Sequence, residues 1–294
     1  MGRYDAEVLG VGDGSSERAA RYDTWFATPL GRVMDACEAR AILDLAIPQP
    51  GERALDAGCG TGIYTRRLAE LGATVTGVDA DPEMLAAARL KAPSATLIVG
   101  DVTALPFAEN TFDLALAVTV LCFVEQPQRA VAELVRVTRP GGRIVLAELN
   151  RCSLWAAWRR VKGWRGAKAW GDAHFYAPRE LAALLRRAGA HDVRTVAAAY
   201  LPPGAPAWLR SRAASYERRA GRLGSVGAAF SLSRGEVGSD RAALLLHARE
   251  SVRDCTEAMA REAPMPAALP GLDHGSLDAA SRSRQIRRPG AWTR

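Results

Sequence analysis

The sequence predicts an α/β fold: a doubly wound parallel sheet whose ligand crevices open at the C-terminal ends of its strands. Three observations predict it. Between Arg53 and Leu149, short apolar runs alternate with stretches of helical periodicity. The run Leu114–Val118 is apolar without alternation, as a parallel strand covered on both faces requires. The junction between the first strand and helix, Ala54–Gly62 (ALDAGCGTG), carries glycines at 58, 60 and 62. Such a turn lets backbone approach a ligand closely and aims the free N–H groups of the following helix at it.

Taken in order, residues 1–20 mix glycine, serine and charge with little periodicity and read as a flexible N-terminus. Tyr22, Trp25 and Phe26 then cluster ahead of an amphipathic helix over Val33–Ala46, and Pro48, Pro50 and Gly51 punctuate the entry to a strand at Arg53–Ala57. The glycine turn leads into a helix over Ile63–Leu71 and a second strand, Ala73–Val78, that ends in Asp79. Asp81 as N-cap and Pro82 at the first helical position open a helix to Lys91. A third strand covers Thr96–Val99, and the fourth is the apolar run already described. Ala130, Val131, Leu134 and Val137 form one stripe of a helix over Pro127–Thr138. Arg139-Pro140-Gly141-Gly142 turns the chain into a fifth strand, Arg143–Leu149.

Beyond Asn150 the pattern changes. Arg151–Trp170 interleaves Trp155, Trp158, Trp164 and Trp170 with arginine and lysine, and Leu154, Trp155, Trp158 and Val161 share one helical face. This segment, within 151–175, reads as a cap or lid, and its basic side would also suit peripheral membrane contact through 151–170. A helix over Pro178–Ala188, a strand at His191–Ala199, a helical excursion over Trp208–Leu223 and a strand at Val226–Ser233 follow. The remainder, 236–294, reads as an extension: a helix over Asp240–Glu262, then a disordered tail rich in proline, serine and arginine.

The spacing of the glycines bears on the ligand. A dinucleotide fingerprint would want a third glycine at position 63, where the chain has Ile63. Asp56, just before the turn, would repel a pyrophosphate but suits an ammonium group. Asp79 stands about 20 residues past the first glycine, where a carboxylate can take both ribose hydroxyls. A cofactor with adenine, ribose, a sulfonium and an ammonium fits these residues better than NAD. The stretch resembles the first motif of class I S-adenosylmethionine (SAM) dependent methyltransferases of the type-11 group. The resemblance covers roughly Tyr22–Ser233 and is specific from Ala54 to Glu148.

That resemblance implies a Rossmann-like, seven-stranded, mostly parallel sheet with the last strand antiparallel and helices on both faces, occupying residues 21–235. It implies transfer of a methyl group from SAM to a small-molecule acceptor by in-line displacement, leaving S-adenosylhomocysteine; the tryptophan-rich segment, read as a lid, would suit a hydrophobic acceptor. By position, Gly58, Gly60 and Gly62 would surround the methionine part, with Asp56 at its ammonium and Thr119 beside it. Asp79 and Ala80 would meet the ribose, Asp101 and Val102 the adenine, and Tyr22 would close over the mouth. Catalytic residues are less legible, because a good leaving group asks mainly for alignment and exclusion of water. His174, Tyr176 and Glu148 are the candidates for acid–base work.

Composition bounds the rest. Five scattered cysteines without a C-x-x-C pair argue against a disulfide framework and a zinc site, so no metal is expected, and they favour a reducing, cytoplasmic setting. A net charge of +7 permits an anionic partner without requiring one. The segment after the fourth strand lacks the tetrapeptide of base-methylating enzymes, and no nucleic-acid module is evident. Competing readings are an RNA or protein methyltransferase, a SAM-binding regulator without catalysis, and a NAD-dependent oxidoreductase. Oligomeric state is not legible.

Overall fold

The computed structural model describes residues 15–164 and 173–238. The readings made for residues 1–14, for the distal part of the tryptophan-rich segment and for everything beyond residue 238 lie outside the described residues.

The strands are β1 (Arg53–Ala57), β2 (Thr74–Asp79), β3 (Thr96–Val99), β4 (Phe112–Val118), β5 (Thr138–Leu149), β6 (Ala190–Ala198) and β7 (Phe230–Val237). They form one seven-stranded sheet in the order β3-β2-β1-β4-β5-β7-β6. The first five strands pair in parallel. β7 runs antiparallel to both β5 and β6. This is the mostly parallel sheet with an antiparallel last strand that the resemblance implied.

Side-chain alternation along the strands splits the core into two layers. Leu55, Ala115, Ile144 and Leu146 face one side, where helices α5 (Pro127–Val137) and α7 (Pro178–Arg187) contribute Val131, Leu134, Leu181 and Leu185. Ala54, Leu114, Leu116 and Val145 face the other. There α2 (Pro29–Ala46), α3 (Ile63–Glu70) and α6 (Leu154–Trp164) contribute Met34, Ile42, Leu68 and Trp155. Covering both faces is what lets β4 be apolar at consecutive positions. No helix among the described residues is long and apolar enough to cross a membrane.

Helix α4 (Pro82–Lys91) begins as expected, with the Asp81 side chain accepting the Glu83 N–H. Four stretches differ from expectation. Ser15–Ala27 is a helix, α1, where little order was expected before residue 21. Tyr22, Trp25 and Phe26 lie at i, i+3 and i+4 on it, and their rings meet edge to face at 5.0 and 4.9 Å. The chain then turns at Thr28-Pro29, with the Thr28 hydroxyl accepting the Gly31 N–H at the start of α2.

The Arg139–Gly142 turn is absorbed into β5 as an irregularity: Thr138 pairs with Phe112, and Arg143 already with Leu114. The single excursion expected over Trp208–Leu223 is broken into α8 (Ala207–Arg210) and α9 (Ala213–Ala220). Between them the Ser211 hydroxyl donates to the Trp208 carbonyl and competes with the helical ladder. The last strand starts four residues later than expected, because Gly224 and Gly227 hold positive φ and keep that stretch in a turn.

Candidate active site

The strand order reverses between β1 and β4, and the loops leaving the C-terminal ends of β1 to β4 enclose a cleft of about 820 Å³ at that point. Its first wall is the glycine turn. Gly58, Gly60 and Gly62 all have positive φ. The N–H groups of Gly58 and Cys59 both donate to the Val78 carbonyl, at 2.7 and 2.9 Å, which ties the turn to β2.

A Cβ on Gly58 would stand 2.3 Å from Cγ2 of Val120, so glycine there permits the loop after β4 to close against the turn. A Cβ on Gly60 would meet nothing within 4 Å. Gly62 does not line the cleft; its missing Cβ accommodates Ala88, at 2.9 Å, where α3 crosses α4.

Three carboxylates stand around this wall. Asp56, on β1, is 2% exposed, and its Oδ2 accepts the Thr65 hydroxyl at 2.6 Å. Burial pushes its pKa up to about 6, against the pull of the Thr65 bonds. Asp79 uses Oδ2 to accept the Gly60 N–H at 2.8 Å and Oδ1 to accept the Asp81 N–H at 2.9 Å. Asp101, after β3, accepts the Thr103 N–H at 2.7 Å, and hydrogen bonding to Thr103 holds its pKa below the usual carboxylate range.

Ala80, Val102 and Thr119 line the same cleft. Thr119 has φ 54 and donates its N–H to the Ala147 carbonyl. Tyr22 enters from α1, which is anchored beside the glycine turn. There Asp23 accepts both the Thr61 hydroxyl and the Lys91 ammonium.

The three acid–base candidates are not among the residues lining the cleft. His174 is exposed, donates its backbone N–H to the Cys122 carbonyl, and sets its ring 4.6 Å from that of Tyr176. Tyr176 is buried and donates its phenol to the Leu121 carbonyl at 3.1 Å. Glu148 is fully buried and accepts the N–H groups of Val120 and Leu121. All three touch the loop after β4, His174 and Tyr176 by donating to its carbonyls and Glu148 by accepting its N–H groups.

Sequence reasoning missed two further groups. Tyr64 lines the cleft, and its phenol donates to Glu38 on α2 at 3.2 Å. Glu38 itself is buried. Its signal was in the sequence, since Met34, Glu38 and Ile42 recur every four residues on the apolar stripe of α2. Phe123, which with Val118, Val120 and Val124 makes one side of the cleft apolar, lies in a 3-10 turn (Leu121–Phe123) that periodicity does not reveal.

A sheet of this order with a glycine turn and carboxylates at its switch point defines a doubly wound α/β protein whose crevice suits a nucleoside-bearing ligand. A family model described as "Methyltransferase domain" matches residues 55–146. The malonyl-acyl-carrier-protein O-methyltransferase of Serratia marcescens is 33% identical over 211 residues, covering 66% of this chain and 80% of that protein. The demethylmenaquinone methyltransferase of Renibacterium salmoninarum is 40% identical over 111 residues. That match covers 38% of this chain and about half, 47%, of its own length.

Among solved structures, a SAM-dependent methyltransferase from Thermotoga maritima, described as a possible histamine N-methyltransferase, superposes with a TM-score of 0.60 at 23% identity. It covers 76% of this chain and 97% of its own, a likeness of fold. The chain belongs to the class I SAM-dependent methyltransferases, enzymes whose cofactor is SAM.

Proposed function

We propose that this protein methylates a small molecule with an apolar body, holding SAM in the cleft between the glycine turn and the loop after β4. One observation carries the reading. Every residue expected to hold the cofactor, Gly62 excepted, lines a single cleft whose volume, about 820 Å³, lies in the range of small-molecule sites.

The chemistry of the lining suits the cofactor at both ends. The buried carboxylate of Asp56 suits an ammonium group, with Gly58, Gly60 and Thr119 alongside. Asp79 retains acceptor capacity for ribose hydroxyls beyond the two N–H groups it holds. Ala80 stands beside Asp79 at the ribose, Asp101 and Val102 form the adenine end, and Tyr22 closes the mouth from α1. Bound SAM supplies an activated methyl group on a cationic sulfur.

The protein's contribution is alignment and dryness. Val118, Val120, Phe123 and Val124 make an apolar wall on which an acceptor can lie, and excluding water there favours a reaction that discharges a cation. The relatives from Renibacterium salmoninarum and Serratia marcescens are named for a menaquinone precursor and for a malonyl thioester. The first name fits an acceptor with an extended apolar part; the second, for a malonyl group on a carrier protein, fits a small acyl acceptor and carries no such preference.

The test is an acceptor panel with the full chain and SAM. It would hold quinols with prenyl tails, malonyl thioesters, polar amines, a tRNA pool and a peptide pool, with product scored by S-adenosylhomocysteine release and mass shift. Turnover confined to the apolar small molecules is expected. Turnover only on RNA or peptides, or tight SAM binding with no turnover on any acceptor, would overturn the proposal.

A further inference from the structure

Glu148 sits one residue before the end of β5, and its side chain is withdrawn entirely from solvent. Its Oε1 accepts two consecutive backbone N–H groups, from Val120 at 3.0 Å and Leu121 at 2.7 Å. Val120 lines the cleft and packs against the position of Gly58, so this loop is seated between the glycine turn on one side and Glu148 on the other.

The residue before it, Thr119, holds a left-handed φ of 54, which a β-branched side chain adopts only when its surroundings impose it. Two more bonds reach the loop from residues 173–177: the Tyr176 phenol to the Leu121 carbonyl at 3.1 Å, and the His174 N–H to the Cys122 carbonyl at 2.9 Å. That segment is itself fastened to the end of β5, since the Tyr176 N–H donates to the Leu149 carbonyl.

We propose that Glu148 is a positioning residue, whose carboxylate anion clamps Val120 and Leu121 and thereby fixes the loop that shapes the methyl-transfer end of the cleft. The inference rests on the reading above that this cleft holds the cofactor. It separates Glu148 from direct proton transfer, because the carboxylate accepts backbone donors, is withdrawn from solvent and does not line the cleft.

One oxygen holding two N–H groups is a charge-assisted arrangement, stronger than the same geometry with a neutral acceptor. The anion is poised near neutrality. Burial pushes Glu148 up to about 7, against the downward pull of the Leu121 and Val120 N–H groups.

Of the groups around it, the Cys122 thiol and the Tyr176 phenol do not titrate in this range, whereas Glu38 titrates at its upper end. The Cys122 thiol on the loop and the Tyr176 phenol are each raised by their own burial and stay neutral at pH 7. Glu38, which faces it from α2, is pushed up to about 8 by burial and is mostly protonated where Glu148 ionises. Arg159 of α6 acts on Cys122, and its fixed charge is common to all states. An opening that breaks only these two bonds leaves Glu148 buried on β5, so the N–H groups favour the anion and its protonation below pH 7 loosens the loop. Global unfolding instead solvates Glu148 and is favoured by its ionisation.

The test is amide hydrogen exchange on the full chain without cofactor, comparing wild type with Glu148→Gln at matched pH from 6 to 8.5. At pH 8.5 the Val120 and Leu121 amides of wild type should be protected about fivefold more than in the variant. That ratio should fall towards one with a midpoint close to 7. Amides of Leu114–Leu116, in the middle of β4, should follow global stability instead and, in wild type relative to the variant, lose protection as pH rises rather than gain it.

Equal protection at every pH, or a uniform change across the sheet, would overturn the proposal. Should Glu148→Gln fail to fold, Tyr176→Phe removes the donor to Leu121 and leaves the carboxylate in place. It should lower protection of the loop without moving the midpoint, and loss of the pH dependence would overturn the proposal. Because the measurement needs no cofactor, its failure leaves the cofactor-site reading standing, whereas SAM titration into wild type tests that reading alone.

Discussion

The Asp79 carboxylate at the end of β2 accepts the backbone N–H of Gly60 across 19 residues of sequence, at 2.8 Å. The side chain proposed to take the ribose hydroxyls thus also fixes the turn proposed to hold the methionine part. Asp79→Ala removes both functions, while Asp79→Asn keeps one oxygen acceptor and loses the charge. SAM affinity by calorimetry should fall at least tenfold in Asp79→Ala and by less in Asp79→Asn, since hydrogen bonds to a charged group contribute about 1.5–3 kcal/mol. Wild-type affinity in the alanine variant would remove Asp79 from the site.

The glycines of the turn should respond to substitution in different ways. A Cβ at Gly62 would meet Ala88 Cβ at 2.9 Å and its Cα at 3.0 Å, at a φ of 80, so Gly62→Ala combines overpacking with strain. It should cost about 2–4 kcal/mol of stability. At Gly60 the added methyl enters open space, and only the strain of about 1–2 kcal/mol applies to the free protein. Thermal denaturation should rank Gly62→Ala as the more damaging, and calorimetry should rank Gly60→Ala as the weaker binder of SAM. The reverse ranking in either measurement would show that the two glycines have been assigned the wrong tasks.

Much of the fold was legible because local signals agreed with the global arrangement. β1, β3 and the start of α4 fall where apolar runs, Asp81 and Pro82 place them. What escaped depends on tertiary contact. Nothing local to Ser15–Ala27 marks a helix except the spacing of three aromatics, and the start of β7 is set by its ladder with β5 and β6. The position of Glu148 against the loop after β4 arises because β5 lies beside β4, so its side chain reaches the N–H groups of residues some 27 positions earlier. No spacing in the sequence announces that. Glu38 was announced, by an acid on an apolar stripe, and went unread.

Trp155 belongs to the segment expected to act as a cap or lid. In the structure it is 4% exposed and packs with the α2 layer, and its indole N–H donates to the Leu201 carbonyl at 2.8 Å. Trp155→Ala should therefore lower stability by about 3–5 kcal/mol, and Trp155→Phe by about 1–2 kcal/mol for the lost hydrogen bond and area. Chemical denaturation checks both. A stable alanine variant with impaired methyl transfer would return Trp155 to the acceptor site.

Glu38 gives a stability signature of defined sign. It is 5% exposed among apolar neighbours, and burial, reinforced by Asp35, pushes it up to about 8, with the Tyr64 hydrogen bond and Arg67 pulling the other way. The unfolded chain would release this proton near pH 4.5, the ordinary value for glutamate. The folded state therefore binds more protons between those values, and stability is full below pH 4.5 and erodes as pH rises through 8. Glu38→Gln keeps the shape and the acceptor for the Tyr64 phenol but does not titrate. Measured by urea denaturation without cofactor, the variant should gain about 2–4 kcal/mol relative to wild type between pH 5 and pH 9. A wild type that gains on the variant as pH rises would mean that Arg67 holds Glu38 as a stabilised anion, and the buried group would then be an ion pair rather than a protonated acid.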